Sequence, residues 1–154
     1  MTRKSNIAWY VLLFSILFLL DRVTKFFMLQ HGTQEIRVTP FLSFSLSINR
    51  GVTWGLFHSA NTVIFVFVAL LTAVVIGLLA AYSFFRWRSG FSVWGETIAL
   101  AGALSNLVDR IMCGGVVDFI FFSYGRFSWP IFNVADMCIV AGIGIMLFGL
   151  YAKE

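Results

Sequence analysis

Charge is scarce in this chain. Only 12% of its 154 residues are charged against 60% hydrophobic, where soluble domains carry about 25% charged residues, so an ordinary water-soluble fold is excluded. Cysteine occurs twice, at Cys113 and Cys138, outside any Cys-x-x-Cys spacing. That excludes a disulfide framework, a thiol redox pair and a cysteine zinc site, and each thiol reads as a small packing residue. The two histidines, His31 and His58, form no H-E-x-x-H helix, which excludes a zinc protease of that kind and leaves the expected metal content at none. A Gly-x-Ser-x-Gly elbow is also missing, against a serine hydrolase. Basic residues outnumber acidic ones, 11 to 7, but they are scattered in ones and twos without aromatics interleaved on a polar face. No nucleic-acid partner is expected.

What the chain does have is long apolar runs. Four of them, roughly Ile7–Leu29, Asn61–Phe85, Val93–Met112 and Ile131–Tyr151, approach the about 20 residues needed to cross a hydrocarbon core. They use most of the length, so residues 1–154 are expected to form a single integral membrane domain with no separate soluble module. Arg3 and Lys4 ahead of Ile7–Leu20 imitate a secretory signal peptide, but no small-x-small cleavage site follows, so an uncleaved first helix is expected. Arg3, Lys4, Arg86, Arg88 and Lys153 would share one side and Arg37, Arg50 and Arg126 the other. The positive-inside bias then puts both termini in the cytoplasm. Trp9, Trp54, Trp87, Trp94 and Trp129 fall near the predicted helix ends or in loops, as an interfacial aromatic belt requires.

Two longer connections, Gln30–Ala60 and Cys113–Pro130, are left on the outer side. In the first, Phe44, Leu46 and Ile48 alternate with Ser43, Ser45 and Ser47, the period of a half-buried strand. The expected fold class is therefore an all-α membrane protein: four transmembrane helices with a small extracytoplasmic β-sheet between helices 1 and 2.

Ionisable residues at membrane depth are costly and usually face a protein interior or a water cavity. Asn106 and Asp109 share a helical face at i and i+3, and Asp109 with Arg110 has an adequate structural reading as charges paired with each other or with polar neighbours. Asp118 is harder to explain in that way. It lies among Val116, Val117, Phe119 and Ile120 with no cation near it in sequence, and Gly114 and Gly115 precede it where backbone can approach a ligand. Asp136 likewise begins the last apolar run without a local cation. Two carboxylates in a poorly solvated site share a proton and titrate as a unit, an arrangement suited to hydrolysis by acid and base. Asn49 and Gly51 also read as ordinary turn residues, and Asn133 as a helix cap. A second class remains open on residues alone: a proton-coupled transporter in which Asp21, Asp109, Asp118 and Asp136 form a relay, although no internal repeat is visible.

Five ordered blocks carry a resemblance: Asp21-Arg22-Val23-Thr24-Lys25, Asn49-Arg50-Gly51, Asn106-Leu107-Val108-Asp109-Arg110, Val116-Val117-Asp118-Phe119 and Phe132-Asn133-Val134-Ala135-Asp136. Together they cover nearly the whole chain, which resembles the bacterial lipoprotein signal peptidases, also called signal peptidase II. The resemblance implies an aspartic endopeptidase of the bacterial cytoplasmic (inner) membrane. It would cleave diacylglyceryl-modified prolipoproteins just before the lipid-bearing cysteine, at the outer face. It implies Asp118 and Asp136 as the catalytic dyad, with Asp21, Lys25, Asn49, Gly51, Asn106, Asp109, Arg110, Asn133 and Ala135 lining or supporting the site. It further implies prolipoprotein substrates, membrane lipid as surroundings, globomycin-type peptides as inhibitors, a monomer, and no cofactor beyond water and a shared proton. Ser105 stands where the family commonly has Gly, and Thr53-Trp54 where it commonly has Ala-Phe. Neither replaces a carboxylate, and both are expected to bear on the shape of the outer loop.

Overall fold

A computed structural model describes residues 7–51 and 61–151. Arg3, Lys4 and Lys153 of the charge-bias reading, and Thr53, Trp54 and His58, lie outside the described residues. Four helices follow the apolar runs: α1 (Ile7–His31), α2 (Thr62–Arg88), α3 (Trp94–Cys113) and α4 (Val134–Tyr151). Asn61 caps α2 by accepting from the Val63 amide at 2.8 Å, supplying one of the acceptors that first-turn amides lack. Of the four, α1 and α2 are long and apolar enough to cross a membrane by length and composition.

Burial is inverted relative to a soluble protein. Phe67, Leu78, Phe85 and Phe148 are all more than 60% exposed, whereas Asp21, Lys25, Ser105, Asp109 and Asn133 are at 1% or less. Apolar side chains at that exposure require an apolar solvent, and polar groups taken out of it must find each other. The helix that gathers them is α3, which packs against the other three. Its approach to α4 is close because both lack side chains at the crossing: a Cβ on Gly95 would sit 2.8 Å from the Gly142 carbonyl oxygen, and one on Gly142 would sit 2.6 Å from the Ala99 amide nitrogen.

Four antiparallel strands, β1 (Ile36–Arg37), β2 (Leu42–Asn49), β3 (Val116–Tyr124) and β4 (Phe127–Ser128), form one sheet in that order. This corrects the expected sheet between helices 1 and 2 alone: half of it comes from the segment between α3 and α4. The segment Val116–Phe122 is a continuous apolar run with Asp118 inside it. It has no period-two alternation because Val116 to Phe119 are all buried, with both faces covered. The alternation in β2 is real but its burial is not as expected, for Ser43 is buried and Ile48 is 39% exposed. The register shift between Phe44 and Ser47 breaks the simple two-faced pattern, as bulges do.

The turn from α3 into β3 explains the paired glycines. Gly114 closes the helix in the left-handed region at φ 69°, where a side chain is strained. At Gly115 a Cβ would meet Ile48 Cγ2 at 2.7 Å and the Asn49 carbonyl oxygen at 3.0 Å. The bare backbone therefore admits strand β2, not a ligand.

Candidate active site

Strand pairing brings the second sequence block to the fourth. In the β2–β3 register Ser47 faces Asp118 and Asn49 faces Val116, which puts Asn49 and Asp118 on one face as diagonal neighbours. Asn49 Nδ2 donates to Asp118 Oδ2 at 3.0 Å, while Asn49 Oδ1 accepts from the Gly51 amide at 2.9 Å. The turn and the site are thus one structure. Arg110 closes the same corner, with Nη2 donating to the Gly51 carbonyl at 2.6 Å and Nη1 to that of Arg50 at 3.4 Å.

A short bridge brings in the fifth block. The Phe119 and Ile120 amides donate to the Phe132 carbonyl at 3.0 and 2.7 Å, and the Phe132 amide donates back to Ile120 at 3.1 Å. Residue 133 is therefore fixed beside Asp118, and α4 starts there. Asn133 Oδ1 accepts from the Asp136 amide at 2.8 Å, and the Asn133 amide donates to Asp136 Oδ2 at 3.3 Å, a reciprocal capping box. The same side chain uses Nδ2 on Asp118 Oδ1 at 2.6 Å. Asn133 is cap and link between the aspartates at once, and the helix begins three residues later than the apolar run because of it. Asn106 Nδ2 donates to the remaining Asp136 oxygen, Oδ1, at 2.9 Å.

Behind these groups lies a buried ion cluster. Lys25 Nζ is 2.7 Å from Asp21 Oδ2, 2.7 Å from Asp109 Oδ2 and 2.7 Å from Asn106 Oδ1. Asp109 therefore finds its cations, Lys25 and Arg22, on α1 and not in the adjacent Arg110. Each supporting carboxylate also holds the amide just before a dyad residue: Asp21 Oδ1 accepts from Ala135 at 2.7 Å, and Asp109 Oδ2 from Val117 at 3.2 Å.

Asp118 and Asp136 line one cavity of about 120 Å³ together with Asn49, Asn106, Arg110, Thr72, Ala103, Val116 and Ile139. The last four were missed in the sequence. Of these Thr72 left a trace there as a hydroxyl in an apolar run, and Val116 as a member of the fourth block. Among the described residues neither Asp118 nor Asp136 has a direct ion-pair partner. Burial first, and then the charge of Asp136, push the Asp118 carboxyl up to about 7, against the Asn49 and Asn133 amides and the charge of Lys25, which pull it down. A carboxyl that keeps its proton near neutrality beside a second carboxyl suits proton transfer in both directions. Among the described residues no cluster of His, Cys, Asp and Glu suits a metal ion.

The chain is similar to known proteins in both sequence and fold. Residues 13–152 match the family model for signal peptidase (SPase) II. The chain is 38% identical over 148 residues to the lipoprotein signal peptidase of Clostridium novyi (strain NT), covering 94% of this chain and 96% of the relative. It is 36% identical over 143 residues to that of Aquifex aeolicus (strain VF5), covering 91% and 84%. Two solved bacterial membrane enzyme structures share the fold. The one determined in meso at 1.9 Å has a TM-score of 0.74 at 27% identity over 97% of each chain. The one at 2.3 Å has a TM-score of 0.82 at 23% identity over 99% of this chain and 93% of its own.

Proposed function

The chain belongs to the signal peptidase II family, and on that premise we propose that Asp118 and Asp136 are the dyad with which this membrane protease cuts prolipoproteins. That it removes signal peptides from prolipoproteins follows from its relatives. The observation that supports the dyad is one buried asparagine, Asn133, bonded to both carboxyls, which line one cavity together. In the proposed reaction the ionised carboxylate takes a proton from water as the water attacks the scissile carbonyl, and the protonated one donates to the developing oxyanion. On collapse the pair gives its proton to the leaving amine and takes one back from a hydroxyl of the tetrahedral intermediate, so it ends as it began with a single shared proton. Asn49, Asn106 and Asn133 orient the carboxyls. Asp21, Lys25, Asp109 and the Ala135 amide hold the backbone behind them, while Arg110 and Gly51 fix the strand that carries Asn49. No cofactor takes part.

The same proposal covers placement and substrate. All four helices cross the bacterial inner membrane, both termini lie in the cytoplasm, and the sheet and the dyad face outward. Arg86 and Arg88, at the far end of α2 from Asn61, mark the cytoplasmic side. The enzyme acts as a monomer on substrates whose cysteine already bears a diacylglyceryl group, cutting just before it, while signal helix and acyl chains stay in lipid. Globomycin-type peptides block the dyad. The test is cleavage by purified protein of a diacylated prolipoprotein and its unlipidated precursor. Processing of the diacylated form alone is expected; equal cleavage of both, or of neither, overturns the substrate reading.

The pH dependence has a definite sign. Asp118 is raised from 3.8 to about 7, so its proton is present below that pH and lost above it. Turnover is expected to fall as pH rises through about 7, where the pair gives up its last proton. The same shift lowers folding stability as pH rises from 3.8 to about 7, because the folded state binds the proton more tightly than the unfolded one. A pH–rate profile that climbs steadily from 6 to about 9 would contradict this assignment.

A further inference from the structure

Arg22 was read only as a member of a family block and Ser105 only as a departure bearing on the outer loop, yet both end on the carboxylates behind the dyad. An ammonium has three N–H donors, and those of Lys25 are used on Asp21, Asp109 and Asn106. Each supporting carboxylate has one further donor from a backbone amide, Ala135 on Asp21 and Val117 on Asp109. The third donor on each carboxylate comes from these two residues. Ser105 Oγ donates to Asp21 Oδ2 at 2.6 Å, and Arg22 Nη1 donates to Asp109 Oδ1. They also touch each other, for Nη1 lies 3.3 Å from the Ser105 carbonyl oxygen and 3.5 Å from Oγ. Ser105 belongs to α3 and is fully buried, so its expected influence on the outer loop is replaced by a contact with an aspartate.

Charge points the same way. Two buried carboxylates against Lys25 alone would leave an uncompensated negative charge next to a site that already holds two more carboxyls. Arg22 balances it, reaching in from a side chain that is 22% exposed, in keeping with the cost of leaving a buried charge unpaired.

We propose that Arg22 and Ser105 are a coupled pair of positioning residues: they complete the donor sets of Asp109 and Asp21, and so fix the amides of Val117 and Ala135 that set Asp118 and Asp136. The inference rests on the dyad reading above. Neither residue touches the dyad, so neither is a catalytic residue. A merely structural ion pair would leave folded molecules turning over normally. A positioning pair alters kcat in molecules that are folded, because small displacements of reacting groups are costly.

The experiment measures kcat, KM and melting temperature of the full chain in detergent with a diacylated prolipoprotein. The variants are Arg22→Ala, Arg22→Lys, Ser105→Ala, Arg22→Ala with Ser105→Ala, and Asp118→Asn. Arg22→Ala and Ser105→Ala are each expected to lower kcat by roughly tenfold with KM within about twofold. Arg22→Lys recovers most of the loss, and the double variant loses less than the product of the singles because the two residues are in contact. Ser105→Ala removes one oxygen and keeps the packing, so the test stands even where Arg22→Ala folds poorly. Wild-type kcat in Ser105→Ala and in folded Arg22→Ala, or a change in KM alone, overturns the pair while an inactive Asp118→Asn leaves the dyad standing. Retained cleavage in Asp118→Asn instead sinks the dyad, and the pair with it.

Discussion

Asp118→Asn and Asp136→Asn are each expected to reduce prolipoprotein cleavage by roughly 10²–10⁴-fold, the span attributable to a positioned acid or base, while the protein still accumulates and melts near the wild-type temperature. Asparagine keeps the shape of the side chain and one of its two acceptors. At position 118 that acceptor serves either Asn133, now at 2.6 Å from Oδ1, or Asn49, now at 3.0 Å from Oδ2, so one of these bonds is lost. The lost bond costs about 1 kcal/mol, offset by removing the penalty of a charge in a buried site. Chemistry suffers far more than folding because an amide can neither accept a proton from water nor give one to the scissile carbonyl. Purified variants followed by the shift of a diacylated substrate on a gel would decide it. Near-normal cleavage by either one contradicts the proposed mechanism, and a transporter-type relay through the four aspartates would regain interest.

The helices were legible because a membrane reduces the problem to counting apolar residues. The runs predicted at 7–29, 61–85 and 93–112 differ from α1, α2 and α3 by three residues or fewer at each end. Strand β3 was not legible. Val116–Phe122 has no alternation to distinguish a strand with both faces covered from a loop or a helix end, and its partner β2 is more than 60 residues away in sequence. The consequence was specific: Asp118 was expected in the connection Cys113–Pro130 without regular structure and stands within a strand, held by the diagonal neighbour Asn49.

The dyad's supports divide similarly. The Asp21–Lys25 pair is an i,i+4 contact within α1, the one part of the cluster that helical spacing alone can show. Every other bond around it joins distant segments: Lys25 to Asn106, Asp21 to the Ala135 amide, Asp109 to Arg22. Local reading paired Asp109 with Arg110 or with polar neighbours, whereas packing of α1 against α3 brings Arg22 and Lys25 onto it. Family resemblance named most of these residues but gave them no geometry. Ser105 shows what that leaves out, since its importance depends on a carboxylate 84 positions earlier.

The second large effect is expected at Lys25. Lys25→Met keeps the volume of the side chain, which is fully buried, and deletes the ammonium that separates Asp21 from Asp109. Two carboxylates are then left with Arg22, Ser105 and two amides between them, and breaking a buried ion pair from one side costs about 3–5 kcal/mol. That is comparable with the whole stability of many domains, so most of the protein should fail to accumulate. Adding Asp21→Asn removes the uncompensated charge and keeps an acceptor for the Ala135 amide, so folding should return in large part. Cleavage should not return with it. Lys25 also anchors Asn106 Oδ1 at 2.7 Å, and Asn106 in turn holds Asp136 Oδ1; without the ammonium Oδ1 keeps only the longer 3.2 Å bond from Asn133 Nδ2, and one of the dyad's donors is held less firmly. Quantifying membrane-extracted protein and its specific activity for the single and double variants separates the two roles. A double variant that folds and cleaves at the wild-type rate would reduce Lys25 to a neutralising charge, whereas one that folds and stays inactive identifies it as the residue through which the ion cluster sets the geometry of the dyad.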